Sequence, residues 1–168
     1  TTMLARANGP DIQVLQRIPL PHSAGQFYAA ITAYLGFKPD HDEYIVMGLA
    51  AYGEPRFAPA LREQVLRLLP DGGFELNTKI FDFHLARHRI FSSDILRLLG
   101  SNRQPEDEVT QRHRDVAASA QMVLEETVLH LARHLQRLTG LDQLCLAGGV
   151  AYNCVANSRL WREAGFCE

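Results

Sequence analysis

Leu144-Cys-Leu-Ala-Gly-Gly-Val-Ala-Tyr-Asn-Cys-Val-Ala-Asn157 decides how the chain is read. An apolar run, Leu144 to Ala147, predicts a short strand, and Tyr152 to Arg162 predicts a helix, so two glycines stand at a strand–helix corner. Gly148 and Gly149 carry no side chain, so a ligand can approach their backbone closely. The helix that follows offers unpaired N–H groups and the positive end of its dipole. No Gly-Lys-Ser/Thr follows and there is no Gly-x-Gly-x-x-Gly, which excludes a phosphate loop or dinucleotide fingerprint of the usual kind. The corner reads either as a nucleotide-facing turn or as a tight turn with no ligand.

Upstream of the corner, Gln111 to Leu138 predicts the longest helix, with Val116, Ala120, Leu124, Val128, Leu131, Leu135 and Leu138 forming one apolar stripe. Near the start of the chain, β-like runs Thr2 to Ala7 and Ile12 to Ile18 flank Asn8-Gly-Pro-Asp11, which predicts a hairpin. Ser23 with Gln26 forms a capping box for a helix whose buried face is Phe27, Ala30, Ile31, Tyr34 and Leu35. Lys38 to Pro55 reads as a short helix or turn, and Phe57, Leu61, Val65 and Leu68 have the spacing of an amphipathic helix ending near Pro70-Asp-Gly-Gly73. Phe74 to Phe83 is β-like, Ser93 caps a helix over Asp94 to Leu99, and Ser101 to Glu108 is a polar surface loop. This order implies helices packed on a sheet.

The composition, 46% hydrophobic and 21% charged, is that of a globular domain. With 17 basic against 19 acidic residues the net charge is −2, so neither nucleic acid nor an anionic membrane is an expected partner. No apolar run approaches the roughly 20 residues that span a bilayer. Cys145, Cys154 and Cys167 form an odd set without a Cys-x-x-Cys, which points to a reducing, cytoplasmic setting.

Five stretches occur in order: Pro21-His-Ser23, Ala33-Tyr-Leu-Gly-Phe37, Glu43-Tyr-Ile-Val-Met-Gly-Leu-Ala-Ala-Tyr-Gly-Glu-Pro55, Arg114-Asp-Val-Ala-Ala-Ser-Ala-Gln121 and the Leu144 to Asn157 run. Together they resemble the O-carbamoyltransferases of NodU type, known from nodulation-factor and antibiotic biosynthesis. The resemblance implies a mixed α/β fold, a partial ribonuclease-H-like, actin-like ATPase lobe with a helical insertion. Residues 1–36 would be the hairpin and helix, 37–109 the insertion, and 110–168 a helix-strand-helix unit facing the nucleotide. In such lobes the corner lies against adenosine, a role that falls here on Gly148, Gly149 and Asn153, whose amide offers both a donor and an acceptor. The chain departs from the family pattern at Ile45, where lysine is common, and at Ala51, Tyr152 and Ser158.

By the same resemblance, carbamoyl phosphate and ATP give carbamoyl-adenylate in a separate domain, and the carbamoyl group then passes to a hydroxyl of a small-molecule or saccharide acceptor. A divalent metal, iron, would be held by histidines upstream and an aspartate downstream, outside this chain. No catalytic residue is assigned within it. Rival readings are a non-catalytic ATP-binding regulatory or scaffold domain of the actin-like group, and a sugar kinase of the same fold. His84 with His88, and His130 with His134, have metal-ligand spacing but stand among arginines, which favours solvated basic faces. His22, Asp115, Ser119 and Gln121 read either as site residues or as local caps and packing. The start at Thr1-Thr2-Met3 and the stop at Gly165-Phe-Cys-Glu168 lead to the expectation of a piece of a longer protein, inactive alone, whose open sheet edges pair it into a homodimer.

Overall fold

The computed structural model describes residues 1–80 and 92–167. β1 (Thr2–Asn8) and β2 (Asp11–Ile18) form the expected antiparallel hairpin, with Thr2 opposite Ile18 and Gly9 at φ +58° in the reversal. Its base enters the core through Leu4 and Ile18, whereas Ile12, Val14 and Leu15 toward the tip are exposed. Ser23 then caps α1 (Ala24–Tyr34), its Oγ accepting the Gln26 N–H at 3.3 Å. Phe27, Ala30, Ile31, Tyr34 and Leu35 are all fully buried, as their spacing requires.

The axis of the molecule is α5 (Gln111–Thr139), against which α1, α2 (Glu43–Ala50), α3 (Ala58–Gln64) and α6 (Cys154–Glu163) pack. Val116, Ala120, Leu124 and Leu131 of the apolar stripe are buried, and Leu138 at its far end is exposed. The buried surface is wider than that stripe. Leu129 and Ala132 form a second cluster with Leu160, Ala164 and Phe166, because α6 covers another side of the same helix. Arg62 of α3 also pairs with Glu126 of α5 through two contacts of 2.5 and 2.6 Å.

Three elements differ from the sequence reading. The helix read through Leu68 ends at Gln64, and β3 (Leu66–Leu68) pairs antiparallel with β4 (Phe74–Leu76). Val65 and Leu66 are consecutive buried residues, and so fit an extended chain turning into the core better than one helical face. The turn between the strands is set by Asp71, whose Oδ1 accepts the Gly73 N–H at 2.9 Å, and by Gly72 at φ +83°. α4 (Ser93–Leu99) begins one residue early, with Ser92 rather than Ser93 as its cap. Of the β-like stretch Phe74 to Phe83, residues 81–83 lie outside the described residues.

The third difference is the strand expected at Leu144 to Ala147, which is not formed. A strand exists only through a neighbour's hydrogen bonds, and among the described residues the only sheets are β1-β2 and β3-β4. Leu144 rests half-buried against the α5–α6 cluster, and Cys145, Leu146 and Ala147 are exposed. The fold is therefore mixed α/β, as read, but its helices gather on α5 and two small antiparallel sheets rather than on one common sheet.

The start of α5 is capped with the help of a histidine. His113 is buried, and its Nδ1 accepts the Thr110 N–H at 3.1 Å in a capping box that puts histidine where glutamate or glutamine is usual. Burial, then the nearby charges of Arg112 and Arg103, lower its pKa below the ordinary 6.5. A histidine with a lowered folded pKa takes up its proton more readily when unfolded, so stability is full above about pH 6.5 and falls as pH drops below it. His113→Gln keeps an acceptor for Thr110 and loses the titration. Urea midpoints at pH 5.5 and 7.5 are expected to differ less in this variant than in wild type; an equal difference would refute the assignment.

Candidate functional site

The corner is open where the glycines stand. Gly148 has φ +100°, Gly148 and Gly149 are exposed, and a Cβ added to either would meet no atom within 4 Å. A single 3-10 turn, Gly149–Tyr152, leads from them into α6, closed by Ala151 N–H to Gly148 O and Asn153 N–H to Val150 O, both at 3.0 Å. None of its residues is fully buried, and Tyr152 is 86% exposed. Val150 packs half-buried against the main core, so the bare backbone presented to solvent is that of Gly148 and Gly149.

Asn153 points the other way. It is buried and caps α6, its Oδ1 accepting the Ala156 N–H at 2.9 Å. The same Oδ1 accepts Gln121 Nε2 at 3.0 Å, while Asn153 Nδ2 donates to Gln121 Oε1 at 2.9 Å. Gln121 Oε1 also accepts the Tyr28 hydroxyl at 2.8 Å, and its Nε2 donates to Glu125 at 2.9 Å. Burial is the main reason the Tyr28 phenol is raised well above its ordinary pKa, so it is a fixed donor at any physiological pH. Of the three residues assigned to the adenosine wall, two face solvent and the third ties the corner to α5 and α1.

Other motif residues hold the frame together. Asp115 Oδ1 accepts the Glu54 N–H at 2.9 Å, and Ser119 Oγ accepts the Phe57 N–H at 3.0 Å, so the α2–α3 connection is pinned to the first turns of α5. Burial alone would raise the Asp115 carboxyl; the Glu54 N–H, the Gln111 amide and the Arg56 guanidinium outweigh it and hold the pKa below its ordinary value. His22 Nδ1 accepts the Leu76 N–H at 2.9 Å, linking the segment before α1 to β4. Met47 of α2 lies 3.8 Å, sulfur to sulfur, from Cys154 at the start of α6.

His130 and His134 do not form the solvated face expected of them. His130 Nε2 lies 2.9 Å from Leu69 O, and a Cβ on Gly72 would fall 2.0 Å from the His134 ring, so both imidazoles cover the β3–β4 turn. His84 and His88 lie outside the described residues. Among the described residues no group of three or more His, Cys, Asp or Glu side chains could hold a metal ion, and no helix is long and apolar enough to cross a membrane.

A helical frame centred on α5, the β1-β2 hairpin and an open glycine corner at the head of α6 define a mixed α/β domain. The chain matches the carbamoyltransferase N-terminus family over residues 1–168, and it belongs to that family. It is 43% identical over 167 residues to the uncharacterized protein sll1178 of Synechocystis, covering 99% of this chain and 27% of that protein. It is 38% identical over 164 residues to the nodulation protein NolNO of Sinorhizobium fredii, covering 98% of this chain and 22% of the relative. Identity to the nodulation protein NolO of Bradyrhizobium diazoefficiens is 40% over 158 residues, 94% of this chain and 27% of that one. The chain therefore spans about a quarter of the length of these relatives.

Proposed function

We propose that these residues are part of an O-carbamoyltransferase in which the Gly148-Gly149 corner forms one wall of an adenylate site. The observation that carries the reading is the bare, outward-facing backbone of both glycines at the head of α6, in a chain of the carbamoyltransferase N-terminus family. A purine or ribose meets no Cβ there, and the turn leading into α6 adds oriented N–H groups. Asn153 serves the wall from behind, since its amide is already engaged by Gln121 and Ala156. The enclosing architecture of this reading is an actin-like ATPase lobe completed by residues outside 1–168.

The reaction balances in two steps. In the first, water takes the phosphoryl group of carbamoyl phosphate as inorganic phosphate, and the freed carbamate oxygen attacks the α-phosphorus of ATP and expels pyrophosphate, giving carbamoyl-adenylate. An acceptor hydroxyl then attacks the carbamoyl carbon, loses its proton and expels AMP. The acceptor is a small molecule or saccharide, and the divalent metal of this reading, iron, is held by residues outside 1–168. The setting is the cytoplasm, where the free thiols of Cys145, Cys154 and Cys167 stay reduced.

Full-length protein incubated with ATP, carbamoyl phosphate and hydroxyl acceptors is expected to release AMP together with a carbamoylated product detected by mass. Phosphate transfer to a sugar would replace this reading with a kinase, and ATP binding without turnover would replace it with a regulatory domain. Residues 1–168 alone are expected to be inactive and, through the open edges of the hairpin, to self-associate. A clean monomer by light scattering at high concentration would overturn the second expectation.

A further inference from the structure

The Gly149–Tyr152 turn has no fully buried residue of its own, so what fixes the glycine corner must come from its neighbours. At the front, a Cβ on Gly25 would lie 3.6 Å from Val150, an ordinary contact that leaves room to shift. At the back, Asn157 Nδ2 donates to Ala151 O at 2.8 Å, from an α6 position that moves with the helix. Val150 also packs half-buried against the main core, but that contact is apolar and without direction; the directional attachment is Asn153, and Asn153 is held by Gln121.

Gln121 is buried and fully bonded. Its two N–H groups go to Asn153 Oδ1 and Glu125 Oε1, and its oxygen takes Asn153 Nδ2 and Tyr28 O–H, at distances of 2.8 to 3.0 Å. The reciprocal pair of amide bonds is directional, so it fixes the rotation of Asn153 as well as its position. Since Asn153 Oδ1 is also the cap of α6, the same pair sets where that helix begins. Glu125 extends the link, standing 3.6 Å from Arg159 on the next turn of α6. An apolar cluster would fill the same volume without this directionality.

We infer that Gln121, braced by Tyr28, is a positioning residue that sets the Gly148–Asn153 corner through its double amide bond to Asn153, and thereby the adenylate affinity of the site. The inference rests on the adenylate-wall reading for its second half only. Full-length protein carrying Gln121→Leu, and separately Tyr28→Phe, is compared with wild type by amide hydrogen exchange and by AMP binding.

In Gln121→Leu, exchange in residues 149–156 is expected to rise about tenfold or more, with α3 and α4 unchanged, since loss of a local clamp opens the local unit first. AMP affinity is expected to fall about tenfold, while carbamoyl phosphate affinity stays within about twofold, because only the wall that faces the adenylate is displaced. Tyr28→Phe removes one bond of the network and keeps the ring, so a smaller change in the same direction is expected; it decides the matter if Gln121→Leu does not fold. Exchange that rises evenly through the chain, or not at all in 149–156, would overturn the inference. If exchange rises locally and AMP binds wild type and Gln121→Leu equally, the clamp stands and the adenylate wall falls.

Discussion

Gly53→Ala is expected to unfold the domain at a urea midpoint far below wild type, with a loss of about 3 kcal/mol or more. Gly53 sits in the connection after α2, and a Cβ there would lie 2.0 Å from the Arg114 carbonyl oxygen, 2.3 Å from its carbon and 2.8 Å from the Asp115 nitrogen. Those atoms belong to the backbone of α5, which cannot swing aside as a side chain can. Relief requires the connection to lift away, and lifting it breaks the Glu54 N–H bond to Asp115 and the Phe57 N–H bond to Ser119. Asp115 would then be left buried with fewer donors, which adds the cost of an unsatisfied carboxylate to that of the clash. Gly48→Ala, five positions earlier, is the internal control. Gly48 is inside α2, exposed, with nothing within 4 Å of an added Cβ, so alanine is expected to stabilise by about 0.5–1 kcal/mol. A Gly53→Ala midpoint equal to wild type would show that the connection does not pack on α5 in solution.

The same connection marks what the sequence could convey. Amphipathic spacing made α1 and α5 legible because a buried face repeats along one element, and the hairpin was legible because Asn8-Gly-Pro-Asp11 is local turn chemistry. Asp115 and Ser119 were visible as polar residues on a buried helix, yet their partners are backbone N–H groups about sixty residues upstream. No local pattern encodes such a pairing. The strand read at Leu144 to Ala147 failed for the complementary reason, since pairing depends on a neighbour that the described residues do not supply.

The corner was half legible. Two adjacent glycines announce bare backbone, and Gly148 at φ +100° with open space around both residues agrees with that reading. Asn153 looked equally available because an amide has both a donor and an acceptor. Its direction is decided by Gln121 and Tyr28, which lie on two other helices. Of these, Gln121 carried a weak signal, a polar residue within the apolar run of α5. Arg103 carried none, lying in a polar stretch that reads as surface loop.

Replacing Arg103 is expected to be nearly as damaging as Gly53→Ala. Arg103 is only 6% exposed, yet every hydrogen bond described for its guanidinium goes to a carbonyl oxygen. Nε donates to Leu35 O at 2.6 Å and Nη2 to Gly36 O at 3.3 Å, just past the C-terminus of α1, while Nη1 donates to Pro105 O and Asp107 O at 3.1 and 2.7 Å. A cation at a helix C-terminus meets the negative end of the dipole and the carbonyls the helix leaves unpaired. The Phe37 ring lies 4.6 Å from the guanidinium carbon and adds a cation–π contact. Gly36 belongs to the same construction, because at φ +74° its Cβ would stand 2.7 Å from Arg103 O. Arg103→Met keeps much of the stem's packing and removes the donors, leaving four carbonyls short of a partner, at an expected cost of about 3 kcal/mol. Arg103→Lys keeps the charge and the dipole interaction, but one ammonium cannot reproduce a planar fork that reaches both sides of the loop, so about half of that loss is expected. Urea midpoints in the order arginine, lysine, methionine would support a carbonyl-capping cation. Lysine equal to arginine would mean that charge alone suffices, and methionine equal to arginine would mean that the carbonyls find water once the guanidinium is gone.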